Sequence, residues 1–363
     1  MIVGVLGGGQ LGRMLALAGY PLGLQFRIYD VVPEAPAEHV AEFLQGDFDD
    51  ESRLEEFSRG LTVATYEFEN VPVRAAEFVA SRVTLHPAPR ALAVCQDRLA
   101  EKTLAAQLVI PSAKFEAVES ASDLAAAAAR IGFPCMLKTR RLGYDGKGQA
   151  VLREPVEVAA AWQGIQAAPA IVEQFVAFER EVSLIAVRSA SGECAFYPLV
   201  ENMHRGGILR ETRAPAPGLE PELQALAESH AARVLEELQY VGTLAIEFFE
   251  RGGELLLNEM APRVHNSGHW TIEGAATSQF ENHIRAILGW PLGPTAAVGR
   301  SHMFNIIGAA PNTPALLAVP GAHVHLYGKS PRPGRKLGHV TLWNELDEHD
   351  RRIEAVRSLI ANA

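Results

Sequence analysis

A carboxylate, a cation, two imidazoles and several small polar groups crowd into the run Asn258-Glu259-Met260-Ala261-Pro262-Arg263-Val264-His265-Asn266-Ser267-Gly268-His269-Trp270-Thr271. An apolar, strand-like stretch leads into it, Pro262 interrupts the strand and Gly268 frees the backbone. The pattern predicts an irregular loop whose polar side chains converge on a ligand. A polar surface loop is the alternative, but such loops carry mostly Lys, Glu and Asp rather than neutral hydrogen-bonding groups around an Arg.

Two glutamates add a second chemistry. Glu247 and Glu259 lie on strand-like runs, Thr243 to Glu250 and Glu254 to Met260, separated by Arg251-Gly252-Gly253. A hairpin loop with an odd residue count would put both on one sheet face with Ala245, Phe249, Leu255 and Leu257; an even loop would turn one of them to solvent. Paired carboxylates on an apolar face require a compensating cation, and hard oxygen ligands beside nucleotide phosphates suit Mg²⁺. Lys138 closes the apolar run from Phe133, and a Gly-rich loop, Gly143-Tyr144-Asp145-Gly146-Lys147-Gly148-Gln149, follows it. A lysine and mobile backbone amides can cover a triphosphate, although the Gly-Lys-[Ser/Thr] of a Walker A motif is absent. Glu181 could accept from ribose hydroxyls, and the backbone of Glu173-Gln174-Phe175-Val176 could read adenine. As isolated glutamates, Glu173 and Glu181 would be explained by solvent exposure.

The N-terminus offers a competing signal. Gly7-x-Gly9-x-x-Gly12, with Asp30 eighteen residues further on, fits the dinucleotide fingerprint and taken alone says dehydrogenase. The same glycines serve any strand-to-helix turn that brings backbone N–H groups near an anion.

The elements that must position these groups follow from periodicity and punctuation. Residues 2 to 6, the helical Arg13 to Ala18 and the strand-like Phe26 to Asp30 make a βαβ opening. Further strands are predicted at Leu61 to Thr65 and Val83 to Leu85, giving an open parallel-sheet domain over 1–105. The Ala-rich helix Asp123 to Ala129, capped by Ser122, and a hairpin around the glycine loop fill a small domain over 106–175. Runs at Ala170 to Val176 and Glu181 to Val187 lead into a larger antiparallel sheet over 176–363. Its Pro- and Gly-rich tail carries the strand-like Ala322 to Tyr327 and the basic cluster Lys329, Arg332, Arg335 and Lys336, against a net charge of −10. A length of 363 residues at 48% apolar content supports two or three such domains. No basic tract tracks a nucleic-acid backbone, and no apolar run reaches bilayer length. No cationic leader precedes Ile2, so a cytoplasmic protein without nucleic-acid or membrane partners is expected. The three cysteines read as small buried residues rather than a disulfide or zinc framework.

Together these pieces resemble the ATP-grasp superfamily, in which a nucleotide lies between two α+β domains under a hairpin lid. Gly9-Gln10-Leu11-Gly12-Arg13-Met14, Asp97-Arg98, the 143–149 loop, Ala261 to Trp270 and Arg332-Pro333-Gly334-Arg335-Lys336-Leu337-Gly338-His339 look like the 5-(carboxyamino)imidazole ribonucleotide synthetase family of purine biosynthesis. The resemblance implies that Arg98, Lys138, Glu173, Val176, Glu181, His204, Asn258 and the glycine loop handle ATP, and that Glu247 and Glu259 hold Mg²⁺. Gln10, Glu67, Tyr144, Asp145, Arg263, His265, Asn266 and Ser267 would surround an aminoimidazole ribonucleotide and bicarbonate, with Lys329, Arg335 and Lys336 on its 5′-phosphate. Lys147 stands where relatives commonly have Arg, which keeps the charge and loses the fork. The implied chemistry is formation of carboxyphosphate, release of CO₂ in a closed site and attack by the exocyclic amine, with Asp145 or His265 taking its proton. A homodimer is implied as well. Another ATP-grasp ligase, such as a formate-dependent glycinamide ribonucleotide transformylase, would share Lys138, Glu247 and Glu259 but differ at His265 to Trp270. A nicotinamide-dependent dehydrogenase or a non-catalytic nucleotide sensor would explain only Gly7 to Gly12 and Asp30.

Overall fold

The computed structural model describes residues 1–143, 148–344 and 350–361. Its first sheet is parallel, in the order Glu42–Gln45, Gln25–Asp30, Ile2–Leu6, Val63–Tyr66. The central strand reads IVGVL, and Val3 to Leu6 are buried, as a strand covered on both faces requires. Helix Gln10–Gly19 packs Leu11, Met14 and Leu15 beneath it. The run Val83 to Leu85 forms only a single bridge, Ala64 to Leu85, rather than a strand. The edge strand Glu42–Gln45 was not legible, because its polar ends leave just Phe43 and Leu44 half-buried.

A second, antiparallel sheet runs Phe115–Val118, Ala170–Gln174, Cys135–Thr139, Gln149–Leu152. Its helix, Ala121–Ile131, is capped by Ser120 rather than Ser122: the Ser120 hydroxyl accepts from the Asp123 N–H, and Ser122 lies in the first turn. Leu124, Ala127 and Ala128 cover Cys135, Leu137 and Val172, so the alanines serve close helix-on-sheet packing.

Among the described residues the third sheet has nine strands. Glu254–Ala261 pairs with Gly242–Arg251, which pairs with Arg180–Arg188; Val200–Arg205, Ile208–Ala214, Arg300–Ile307, Lys336–Asn344 and Ala322–Leu326 follow, with Cys194–Phe196 beside Arg180–Arg188. Val182, Leu184, Ile246, Phe248, Leu255 and Leu257 bury one face under helix Pro221–Glu237. Among the described residues no helix is long and apolar enough to cross a membrane.

Candidate active site

The hairpin carrying the two glutamates turns through Gly252 and Gly253, both at positive φ, with Arg251 opposite Glu254. Two such residues suit the tight turn of a two-residue loop, so the loop is even rather than odd. A regular ladder would then place position 258 opposite Glu247. Instead the register shifts between Glu247 and Phe248: Phe248 faces Leu257, Glu247 faces Glu259, and Asn258 is the extra residue of a β-bulge. The glutamates therefore oppose each other directly, by a different route from the odd loop. Leu255 and Leu257 belong to the opposite, core face, and Leu256 with Phe249 lies on the glutamate side. The bulge also re-aims Asn258, whose Oδ1 lies 3.4 Å from Lys138 Nζ, so two consecutive residues serve one cleft.

Charge in that cleft is unevenly compensated. Glu259 accepts from Arg98 Nη1 at 3.0 Å. Burial raises its carboxyl, but the charge and hydrogen bond of Arg98, together with the charges of Lys138 and His204, outweigh burial and hold it below the usual range. Glu247 is pushed up, first by burial and then by Glu259. A directly opposed carboxylate pair, with one member lacking a full counter-charge, is a donor set that fits Mg²⁺. Glu181 and His204 stand 2.8 Å apart beside Glu247. For His204, burial acts downward, yet Glu181 and Glu247 win and raise it.

Lys138, buried at the end of its strand, donates to Glu173 Oε2 at 2.9 Å. Burial pushes Glu173 up, and Lys138 and Lys102 more than reverse it. Glu173 is thus a buried, paired carboxylate and not the exposed residue its isolation in sequence suggested. Lys102 escaped sequence reading. Its ammonium is buried, donates to the Leu257 carbonyl at 2.8 Å and lies 3.9 Å from Glu173. Arg98, Glu101 and Lys102 recur at helical spacing, a signal that in sequence reads as a solvated face. Asp97 caps their helix and binds Arg140 through both carboxylate oxygens, at 3.0 and 2.6 Å. Arg98 also reaches the Gly143 carbonyl at 3.3 Å, tying the helix to the start of the glycine loop. Gly148 and Gln149 resume beside Thr139 and Lys138. Tyr144, Asp145, Gly146 and Lys147 lie outside the described residues. Gln174 and Phe175 are exposed and Val176 buried where the chain crosses to the large sheet.

The loop after Pro262 closes the same cleft. Arg263 Nε donates to Glu69, a partner not singled out in sequence, and Nη1 to the Val264 carbonyl at 3.0 Å. His265 Nδ1 lies 2.9 Å from Ser267 Oγ and accepts from the Ser267 N–H at 3.3 Å. Its Nε2 faces Glu247 Oε1 at 3.6 Å. Burial, then the charges of Arg263 and Lys336, push this imidazole well below its ordinary range, so it is neutral at pH 7. Asn266 exchanges two amide hydrogen bonds with buried Asn305, at 3.0 and 2.7 Å. Asn305, polar within the otherwise apolar run Met303 to Ile307, was the overlooked signal. Glu69, Arg98, Glu259, Arg263, His265 and Lys336 line one concavity.

Lys329 and Arg335 line a second concavity with Gly8 and Gly9. Adjacent residues Arg335 and Lys336 thus face different hollows. Lys329 donates to Gln10, and burial brings its ammonium down to about 8. Arg335 donates to Ser330 Oγ at 3.0 Å. The glycine turn itself is already filled: Glu67 accepts from the N–H groups of Gly9 (2.9 Å), Leu11 and Gly12 (both 3.2 Å), and Asp30 accepts from Gly8. A Cβ on Gly9 would stand 2.7 Å from Glu67 Oε1. The N-terminal anion site is occupied by the chain's own carboxylate, which removes the basis for a dinucleotide site there.

Fold and site define an ATP-dependent ligase of the ATP-grasp type. The ATP-grasp domain family matches residues 103–280, the ribonucleotide synthetase preATP-grasp domain 1–96, and the phosphoribosylaminoimidazole carboxylase C-terminal domain 301–352. The chain is 52% identical to an N5-carboxyaminoimidazole ribonucleotide synthase of Pseudomonas aeruginosa over 94% of both chains. The N5-carboxyaminoimidazole ribonucleotide synthetase of Thermus thermophilus superposes with a TM-score of 0.92 at 55% identity, covering 99% of this chain and 96% of that one. An Aspergillus clavatus N5-carboxyaminoimidazole synthase, crystallised with ADP and 5-aminoimidazole ribonucleotide, superposes at 0.93 with 31% identity, covering 100% and 99%. The chain belongs to the N5-carboxyaminoimidazole ribonucleotide synthase family.

Proposed function

We propose that this protein uses ATP and bicarbonate to carboxylate 5-aminoimidazole ribonucleotide, giving N5-carboxyaminoimidazole ribonucleotide, ADP and phosphate in purine biosynthesis. The observation that carries this reading is the junction of two chemistries: the opposed Glu247 and Glu259 stand beside His265 and Arg263 of the polar loop. Mg²⁺ bound by the two glutamates would supply charge neutralisation for a transferring phosphoryl group. Lys138 and Arg98 provide fixed positive charge on the same side, and such transfers depend on positioning and electrostatics. Glu173 holds Lys138 in place through a short ion pair. Glu181 and His204 are assigned to the nucleotide, with the 174–176 crossing as the adenine edge.

Arg263, His265, Asn266 and Ser267 are assigned to the bicarbonate and imidazole end. The Ser267 N–H is only a donor, so Nδ1 of His265 is an acceptor and the imidazole proton resides on Nε2. That proton points toward Glu247, which suits His265 to orienting a negatively charged reactant. The amine proton is then assigned to Asp145. Lys329, Arg335 and Gln10 are assigned to the ribonucleotide phosphate, and Lys336 to the reacting end. The division into 1–105, 106–175 and 176–363, supported by three separate sheets, belongs to this proposal. So do a cytoplasmic location and a homodimeric assembly, which rest on the sequence and the family resemblance.

ADP release by the purified protein, with bicarbonate and aminoimidazole ribonucleotide omitted in turn, tests the assignment. Full turnover should need both, with Mg²⁺. An equal response to glycinamide ribonucleotide plus formate would move the protein to the neighbouring ligase class.

A further inference from the structure

Gln279 opens helix Gln279–Ile287 and is fully buried. Its side-chain amide meets the main chain of His265 at both edges. The His265 N–H donates to Oε1 at 2.9 Å, and Nε2 donates to the His265 carbonyl at 2.6 Å. One side chain thereby pairs with one residue as a neighbouring strand would. Gln279 is itself held: its N–H donates to Thr271 Oγ1 at 3.0 Å, and its carbonyl accepts from Thr243 Oγ1 at 3.2 Å. Thr271 in turn donates to the Gly268 carbonyl at 2.6 Å, closing the loop back on the polar segment.

Gly268 reports on the same clamp independently. A Cβ there would stand 2.6 Å from Gln279 Oε1 and 2.8 Å from Nε2, so the glycine leaves the space that the amide fills. Downstream of the clamp, Ser267 holds Nδ1 of His265 and leaves Nε2 facing Glu247. Ser267 can do so only while the main chain of His265 keeps its place, because the Ser267 N–H and the imidazole belong to one short turn.

We propose that Gln279 is a positioning residue for the reaction, clamping the main chain of His265 so that its imidazole keeps the tautomer and orientation in which Nε2–H faces Glu247. The proposal rests on the assignment of His265 to the reacting end. Gln279→Met keeps the length and removes both amide contacts; Gln279→Glu keeps the acceptor for the His265 N–H and sets an oxygen against its carbonyl. Gly268→Ala displaces the amide while leaving Gln279 in the chain, and stands in if a Gln279 variant fails to fold.

Nitrogen-15 histidine spectra of the ligand-free protein read the tautomer, with the His265 signals identified by their loss in His265→Ala. Steady-state kinetics read turnover. The parent should show Nε2 protonated. In a folded Gln279→Met or Gly268→Ala protein, the His265 signals should move toward a tautomer mixture. Turnover should fall about tenfold or more, with the Michaelis constants for ATP and ribonucleotide within about twofold of the parent. An Nδ1-protonated parent, or turnover that falls while the His265 signals stay fixed, overturns the proposal. Signals that move while turnover holds overturn the underlying assignment of His265 instead.

Discussion

The glycine turn at the N-terminus and the bulged hairpin of the large sheet both present carboxylates to unusual backbone, and they end in opposite states. At the turn, Glu67 is satisfied by three main-chain N–H groups and Asp30 by a fourth. Burial pushes Glu67 upward, and the Gly9 and Gly12 N–H groups offset that only in part, so its carboxyl stays above the usual range. At the hairpin, Glu247 and Glu259 face each other, and Arg98 compensates only Glu259. A motif that advertises dinucleotide binding can be satisfied by the fold's own carboxylates, whereas the hairpin acids leave negative charge over.

The sharpest way to break that contrast is to neutralise the hairpin acids. Glu247→Gln or Glu259→Gln should lower Mg²⁺-dependent ADP release by roughly a hundredfold or more while thermal unfolding stays near that of the parent. Parent-like turnover at limiting Mg²⁺ would show that the residue is not needed by the metal. His265→Ala should lower turnover by about a hundredfold and change both Michaelis constants less. Arg335→Ala, at the far end, should raise the Michaelis constant for the ribonucleotide about tenfold and leave that for ATP alone; the reverse would reassign the second concavity.

The raised carboxyl of Glu247 sets a pH dependence. A proton held in the folded protein above the ordinary glutamate range must leave before a metal binds. Calorimetry should therefore find Mg²⁺ affinity rising with pH through that window, and Glu247→Gln should remove the slope. In the metal-free protein the same group binds more protons folded than unfolded, so its contribution to stability falls as pH rises through the window. The smallest effect belongs to the self-satisfied region. Glu67→Ala leaves three N–H groups without their partner, so denaturant titration should show a loss of about 1–3 kcal/mol, with Mg²⁺ affinity unchanged. A large loss of Mg²⁺ affinity in that variant would erase the distinction between the two regions.

Much of the fold was legible because apolar runs and glycine punctuation mark strands wherever one face is buried. Ile2–Leu6, Gln25–Asp30 and the hairpin strands all obey that rule. Glu42–Gln45 did not, since an edge strand with two polar ends looks like a loop. In the site, Glu259, Arg263 and His265 were visible as an improbable mixture of types, and Glu247 as the acid paired with Glu259 across the hairpin. Lys102 and Gln279 were not: a charged helix face reads as solvated, and a glutamine after the capping Ser278 has no local signature. Their roles arise from partners distant in sequence, Leu257 and Glu173, for Lys102, and from an amide that meets main chain for Gln279. The opposition of Glu247 and Glu259 was anticipated for a different reason, because parity counting has no place for an inserted residue.

That inserted residue has a consequence for how such a site can be assembled. A strand spends every second side chain on its core, so enriching a ligand-facing edge by replacement means removing something already useful. Asn258 is supernumerary: Phe248 still meets Leu257 and Ile246 still meets Met260 on either side of it. The hairpin has gained an amide beside its acid without surrendering a single packing partner, so excising Asn258 should restore a plain ladder with both acids still face to face. The insertion adds an amide at the edge of the cleft while the strand pairing on either side of it is kept.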